Sequence, residues 1–160
     1  MDNIEPVADV TNDNWNRLFA VNVNGPSFAR RLVIPLMLKQ GKGVIINNAS
    51  PGGLYGGRAG ASYTATKHAL IGLTKSTAFM YSTSGIRFNA IAPGGVKANI
   101  TSSMTSVSTF GMEKQKAGFG LMPRVGEPEE IANVALFFAS EESAFISGQA
   151  IAADGGWSAY

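Results

Sequence analysis

The chain has 160 residues, no cysteine, a net charge of +2, and 45% hydrophobic against 15% charged residues. One globular domain over 1–160 is expected. Disulfides and thiolate metal ligation are excluded, and with His68 as the single histidine no metal site is expected. Basic residues are scattered, and Arg30-Arg31, the one adjacent pair, reads as a solvated helix face, so no nucleic-acid partner is expected. No apolar run reaches the about 18 residues of a membrane span, and residues 1–20 lack the shape of a signal peptide. A soluble cytoplasmic protein with no membrane partner is the expectation.

Residues 1–10 read as a loop, with Pro6 blocking an early helix. Thr11 or Asn12 caps a helix running to about Lys39, with Trp15, Leu18, Phe19 and Asn22 at i, i+3, i+4 and i+7. Asn22 puts an amide on that apolar face. Pro26, four residues on, has no N–H, so the Asn22 carbonyl loses its helical partner. Either a water or ligand site or an ordinary proline kink follows from this.

Gly43 to Ala49 is short, β-rich and bounded by glycine, which predicts a buried strand ending at Ser50. A Gly-rich loop leads into a helix from about Ala61 to Ser82. Ala65, Ala69, Leu70, Leu73, Ala78, Phe79 and Met80 make that helix apolar over more than one face, so burial on several sides is expected. Gly85 to Ala92 predicts the next strand, closed by Pro93-Gly94-Gly95. Residues 100–122 show little periodicity and read as loosely specified. Pro128 followed by Glu129 and Glu130 is a strong helix start, with Ile131, Val134, Ala135 and Phe138 as its apolar face. Residues 147–156 read as a turn, a last strand and a tail.

Chemistry concentrates in Ser50 to Lys67. Tyr63 and Lys67, four apart, share one helix face. Ser50 precedes Tyr63 by thirteen residues, at the end of the predicted strand. A phenol near pKa 10 is a poor acid-base at neutral pH, and a nearby ammonium is expected to lower that value. A serine hydroxyl beside them orients a substrate oxygen. The set suits interconversion of an alcohol and a carbonyl, with hydride handled by a cofactor. A Tyr-x-x-x-Lys pair alone is a weak signal, since most such pairs are solvated helix faces. His68 points about 100° away from Lys67 and is given no catalytic role.

Ser50 with Tyr63-x-x-x-Lys67 resembles the signature of the short-chain dehydrogenase/reductase family, and the likeness runs from about Asn12 to Tyr160. It implies an NAD(P)-dependent oxidoreductase acting on a small-molecule alcohol or carbonyl, NAD or NADP being left open. The V-N-V-N-G segment matches the family's V-N-x-x-G, which makes Asn22 the holder of a relay water. Tyr63 is then general acid-base, Ser50 orients the substrate oxygen, and Lys67 also binds the nicotinamide ribose. The strand ending Asn89-Ala90-x-x-Pro93-Gly94-x-Val96 implies cofactor contacts from Pro93, Gly94 and Val96. Ala98 stands where the family usually has a cofactor-binding Thr, with Asn99 as a candidate replacement. Residues 100–122 correspond to a mobile lid over the substrate. The Ala61–Ser82 helix, the long helix before it and the segment through Trp157 correspond to subunit contacts, implying a homo-oligomer, dimer or tetramer.

The fold class expected is α/β: a partial Rossmann-like, doubly wound parallel sheet with flanking helices, its first strands missing. No Gly-rich turn between a first strand and a helix occurs to hold a pyrophosphate; Gly53 to Gly60 follow the wrong strand. Two readings therefore stand: an oxidoreductase of this type, or a truncated non-catalytic remnant, oligomer-associated at most.

Overall fold

A computed structural model describes residues 2–98, 104 and 106–159. Three parallel strands, β1 (Gly43–Asn48), β2 (Ile86–Pro93) and β3 (Ala150–Ala153), lie in the order β1-β2-β3. Gly43 pairs with Ile86 and Asn48 with Ile91; Ala90 pairs with Ala150 and Pro93 with Ala153. Among the described residues the outer edge of β1 has no strand partner. Around the sheet lie α1 (Asn12–Phe19), α2 (Gly25–Gln40), α3 (Ala61–Met80), α4 (Thr109–Gly120) and α5 (Pro128–Ala139). This is the Rossmann-like α/β class expected from the sequence.

β2 is central, and Phe88, Ala90 and Ala92 on it are fully buried. Alternation sends its residues to two faces. Ile86 and Phe88 join Ile34 of α2 and Ala78 of α3 in one core. Arg87 points the other way and donates to the carbonyls of Phe138 and Ser140, each at 2.9 Å, and to Ser143. Those carbonyls end α5, so one strand arginine satisfies a helix terminus. The start of α5 is a capping box of Glu127 and Glu130 with Pro128 in the first turn, as its sequence predicts.

The single helix expected from Asn12 to Lys39 is interrupted. Ala20–Asn24 form a π turn between α1 and α2, closed by the Gly25 N–H on the Ala20 carbonyl. Pro26 is the physical reason: without an N–H it cannot continue the α pattern, and the widened turn absorbs the mismatch. α2 ends at Gly41 in the left-handed region, φ 67°.

Four further expectations change. Trp15 is 36% exposed on the face expected to be core, where it stacks on Phe19 with centroids 4.8 Å apart. Phe79 and Met80 of α3 are exposed, and the buried positions of α3 include the polar Ser62, Thr66, Lys67 and Thr74 beside Leu70, Ile71 and Ala78. Residues 109–120 form α4 where no helix was expected. Arg30 is not on a solvated face: it lies on α2 one turn from Ile34, 5% exposed, and its three guanidinium nitrogens meet no acceptor among the described residues. Burial holds that guanidinium below its ordinary value. A buried charge without a partner costs more than an apolar side chain of similar length. Arg30→Met is therefore expected to raise the calorimetric melting temperature of the 160-residue chain, by roughly 1–3 kcal/mol of stability. A fall in melting temperature would mean that Arg30 has a partner after all.

Candidate active site

Parallel strands deliver their C-terminal ends to one side of a sheet, and the candidate residues collect there. β1 ends at Asn48, and Ser50 follows as the cap of a short 3-10 turn, Pro51–Gly53, its hydroxyl accepting from the Gly52 N–H at 3.1 Å. Pro51, Gly52 and Gly53 are buried, so this part of the loop is packed rather than flexible. Gly53 is required by space: a Cβ there would stand 2.7 Å from the Lys67 carbonyl oxygen and 3.0 Å from Ile71 Cδ1. That close approach sets α3 against β1.

The Ser50 hydroxyl is near enough to the Tyr63 phenol to favour its ionised form. Lys67 is 9% exposed; its Nζ lies 5.3 Å from the Tyr63 ring centroid and donates to the Asn48 carbonyl at 2.9 Å. The structure thus brings Ser50, Tyr63 and Lys67 together. Asn22 joins them through a residue the sequence reading did not flag. Its Nδ2 donates to Thr66 Oγ1 at 3.0 Å, and Thr66 Oγ1 donates to the Tyr63 carbonyl at 2.8 Å. Thr66 is fully buried. A hydroxyl three residues after the tyrosine, on the face of Asn22, was the one available signal. Asn47 is also claimed, donating to Thr74 Oγ1 at 2.7 Å. His68 is exposed, its Nδ1 3.0 Å from the Thr64 carbonyl.

Electrostatics reverse one expectation. Lys67 was expected to bring the Tyr63 phenol below its ordinary value; instead the phenol is raised. Burial is the main cause, the Ser50 hydrogen bond pulls it back, and the Asp2 carboxylate pushes it further up. Lys67 is itself lowered by burial. In this pocket desolvation favours the neutral form of both groups.

Pro93, Gly94 and Val96 lie at the C-terminal end of β2, on the same side of the sheet as Ser50. The Gly94 N–H donates to the Ala153 carbonyl at 3.1 Å, and Val96 bridges to Gly126. Asn99 and the first half of the expected lid, residues 99–103 and 105, lie outside the described residues. Trp157, expected at a subunit contact, is buried within this chain at 4% exposure, beneath Arg58 and donating to the Gly118 carbonyl at 2.7 Å.

A family model described as Enoyl-(Acyl carrier protein) reductase matches residues 1–158. The chain belongs to the short-chain dehydrogenase/reductase family. Over its whole length this short-chain dehydrogenase/reductase chain is 47% identical to 3beta-hydroxysteroid dehydrogenase 2 of Eggerthella lenta, covering 62% of that protein. It is 36% identical to the 3-oxoacyl-[acyl-carrier-protein] reductase FabG of Thermotoga maritima, over 90% of the chain and 57% of that protein. Among solved structures, a 4-hydroxyisoleucine dehydrogenase complexed with NADH and succinate matches with a TM-score of 0.84 and 31% identity, over the whole chain and 65% of that one. An Agrobacterium tumefaciens protein with bound NADP matches with a TM-score of 0.85 and 31% identity, again over 100% and 65%. The chain therefore spans less than two thirds of the length of these relatives. Among its described residues no helix is long and apolar enough to cross a membrane.

The residues present fit one end of a nicotinamide dinucleotide. Lys67 uses one of its three N–H donors on Asn48, leaving two for a ribose, and the Tyr63 ring faces it. They do not offer a pyrophosphate site. The start of α3, which follows the Gly-rich loop, already holds the Asp2 carboxylate on the Gly60 N–H and the Glu5 carbonyl on the Ala61 N–H.

A stability consequence follows from the raised phenol. A group whose folded value lies above its unfolded value of about 10 binds its proton more tightly when folded. Its contribution is full below pH 10 and is lost as pH climbs through the folded value. Tyr63→Phe should therefore lose less stability than wild type between pH 8 and pH 11, read as urea midpoints. Lys67 is common to both proteins and cancels. Equal losses would contradict the buried phenol.

Proposed function

We propose that this chain carries the acid-base half of an NAD(P)-dependent alcohol/ketone oxidoreductase. The observation that supports this most is the convergence of Ser50, Tyr63 and Lys67 at the end of β1, with Lys67 anchored to Asn48. In the reducing direction Tyr63, whose phenol holds its proton at neutral pH, donates that proton to the substrate oxygen. Ser50 holds that oxygen by a hydrogen bond. Lys67 binds the ribose hydroxyls, and its positive charge stabilises the phenolate that forms as the proton leaves Tyr63. Asn22, linked to the catalytic helix through Thr66, orients a water that resupplies the proton. Pro93, Gly94 and Val96 flank the nicotinamide, which when bound supplies or accepts the hydride.

The substrate class is a secondary alcohol or ketone. A 3β-hydroxysteroid is the first to try, because the relative at 47% identity bears that name. A homo-oligomer is part of the proposal: Phe28, Leu32 and Leu36 make an exposed apolar stripe on α2, and Phe79 and Met80 end α3 in solvent. A second reading, a remnant that does not retain a cofactor unaided, is favoured by the occupied start of α3 and the absence of a phosphate cradle among the described residues.

The experiment is turnover of a 3β-hydroxysteroid with NAD⁺ or NADP⁺. Tyr63→Phe is expected to lower kcat/KM by about 100-fold or more, the usual worth of a positioned acid-base. Unchanged turnover in Tyr63→Phe would overturn the assignment. No turnover by folded wild type would favour the remnant.

A further inference from the structure

α3 carries both Tyr63 and Lys67, so where it starts and how it is held decide where both groups sit. Its N-cap is Gly60, which has no side chain to bond the free N–H groups of the first turn. None would fit. A Cβ on Gly60 would stand 2.3 Å from Asp2 Oδ1 and 2.8 Å from the Glu5 nitrogen.

The cap comes from 58 residues away. Asp2 Oδ2 accepts from the Gly60 N–H at 2.8 Å, Asp2 Oδ1 accepts from the Ile4 N–H at 3.0 Å, and the Glu5 carbonyl accepts from the Ala61 N–H at 2.9 Å. Glu5 is held in turn by Asn14 of α1, whose Nδ2 donates to its carboxylate at 2.8 Å. The other side of the same strap meets α4. The Asn3 carbonyl accepts from the Ser108 N–H at 2.8 Å, and the Ile4 carbonyl lies 1.8 Å from where a Cβ on Gly111 would stand. Ile4 is 6% exposed with φ 55°, the one non-glycine residue of positive φ among the described residues. A β-branched residue adopts that conformation only where its surroundings enforce it.

We propose that Asp2 is a positioning residue of the Tyr63 centre: its carboxylate fixes the start of α3 and clamps that helix to α4 through the strap 2–5. This rests on the acid-base reading of Tyr63 given above. The clamp also reaches the phenol through space. Besides burial, Tyr63 feels the Ser50 hydrogen bond, which favours the phenolate, and the Asp2 charge, which opposes it; Lys67 faces its ring. Asp2 is raised by burial, lowered by the Gly60 and Ile4 N–H groups and raised again by the Glu5 charge. After burial, the main cause, the carboxylate that caps the helix thus adds to what favours the protonated phenol.

The test needs no turnover. Protein labelled with ¹³C at tyrosine Cζ is titrated by NMR, with the Tyr63 signal assigned from its absence in Tyr63→Phe. Asp2→Asn keeps an acceptor for the backbone but removes the charge, so Tyr63 is expected to titrate at lower pH than in wild type. Asp2→Ala removes both: Tyr63 titrates lower still or equally low, and amide exchange at Ser108 and Gly111 accelerates. Should Asp2→Ala fail to fold, Asp2→Asn carries the test alone. An unshifted Tyr63 titration in Asp2→Asn, whatever happens to stability, overturns the proposal. Since the readout is the phenol itself, its outcome is separate from whether Tyr63→Phe abolishes turnover.

Discussion

The bond from Lys67 Nζ to the Asn48 carbonyl, 2.9 Å long, is the contact on which the arrangement of the site depends. Asn48 ends β1 and Lys67 sits near the start of α3, so one ammonium fastens α3 to the strand that delivers Ser50. The bond needs α3 close to the strand end. Gly53 provides that closeness by having no Cβ between itself and the Lys67 carbonyl, and Ile71 with Ala49 and Ala90 packs beneath. A buried ammonium without an acceptor would be expensive. The Asn48 carbonyl meets that need and fixes the ammonium beneath the Tyr63 ring.

The same burial that fixes the geometry works against ionisation. Tyr63 is raised and Lys67 lowered, both chiefly by desolvation, and Ser50 only partly offsets this at the phenol. Both shifts favour the uncharged forms, the phenol holding its proton more tightly and the amine less so. The helix start adds to the bias, because the Asp2 carboxylate lies on Gly60, one turn from Tyr63.

Much of this was legible in the residues. β1 and β2 show as short β-rich runs bounded by glycine, and α5 as Pro128 and two glutamates ahead of a regular apolar face, while Pro26 marks a disturbance at Asn22 without revealing that the helix divides in two. Ser50, Tyr63 and Lys67 converge as their spacing implies. What was not legible depends on contacts between distant segments. α4 has no apolar periodicity. It is held by Gln115 on the Ala59 carbonyl at 2.6 Å, by Trp157 on the Gly118 carbonyl, and by the strap at Asn3 and Ile4. The direction of the Tyr63 shift depends on how deeply the phenol is buried, which spacing along a helix does not reveal. Arg30 reads as surface from its neighbour Arg31, yet it turns inward on the face of Ile34.

In the function proposed above, Lys67 and Tyr63 form the binding end of a nicotinamide dinucleotide. Calorimetric titration of NADH and of NADPH into the folded wild-type chain and into Lys67→Met tests it most directly. Saturable binding of one of the two to wild type is expected, weakened about tenfold or more in Lys67→Met by the loss of a charge-assisted hydrogen bond. Equal affinity in both proteins, or no binding to folded wild type, would contradict it.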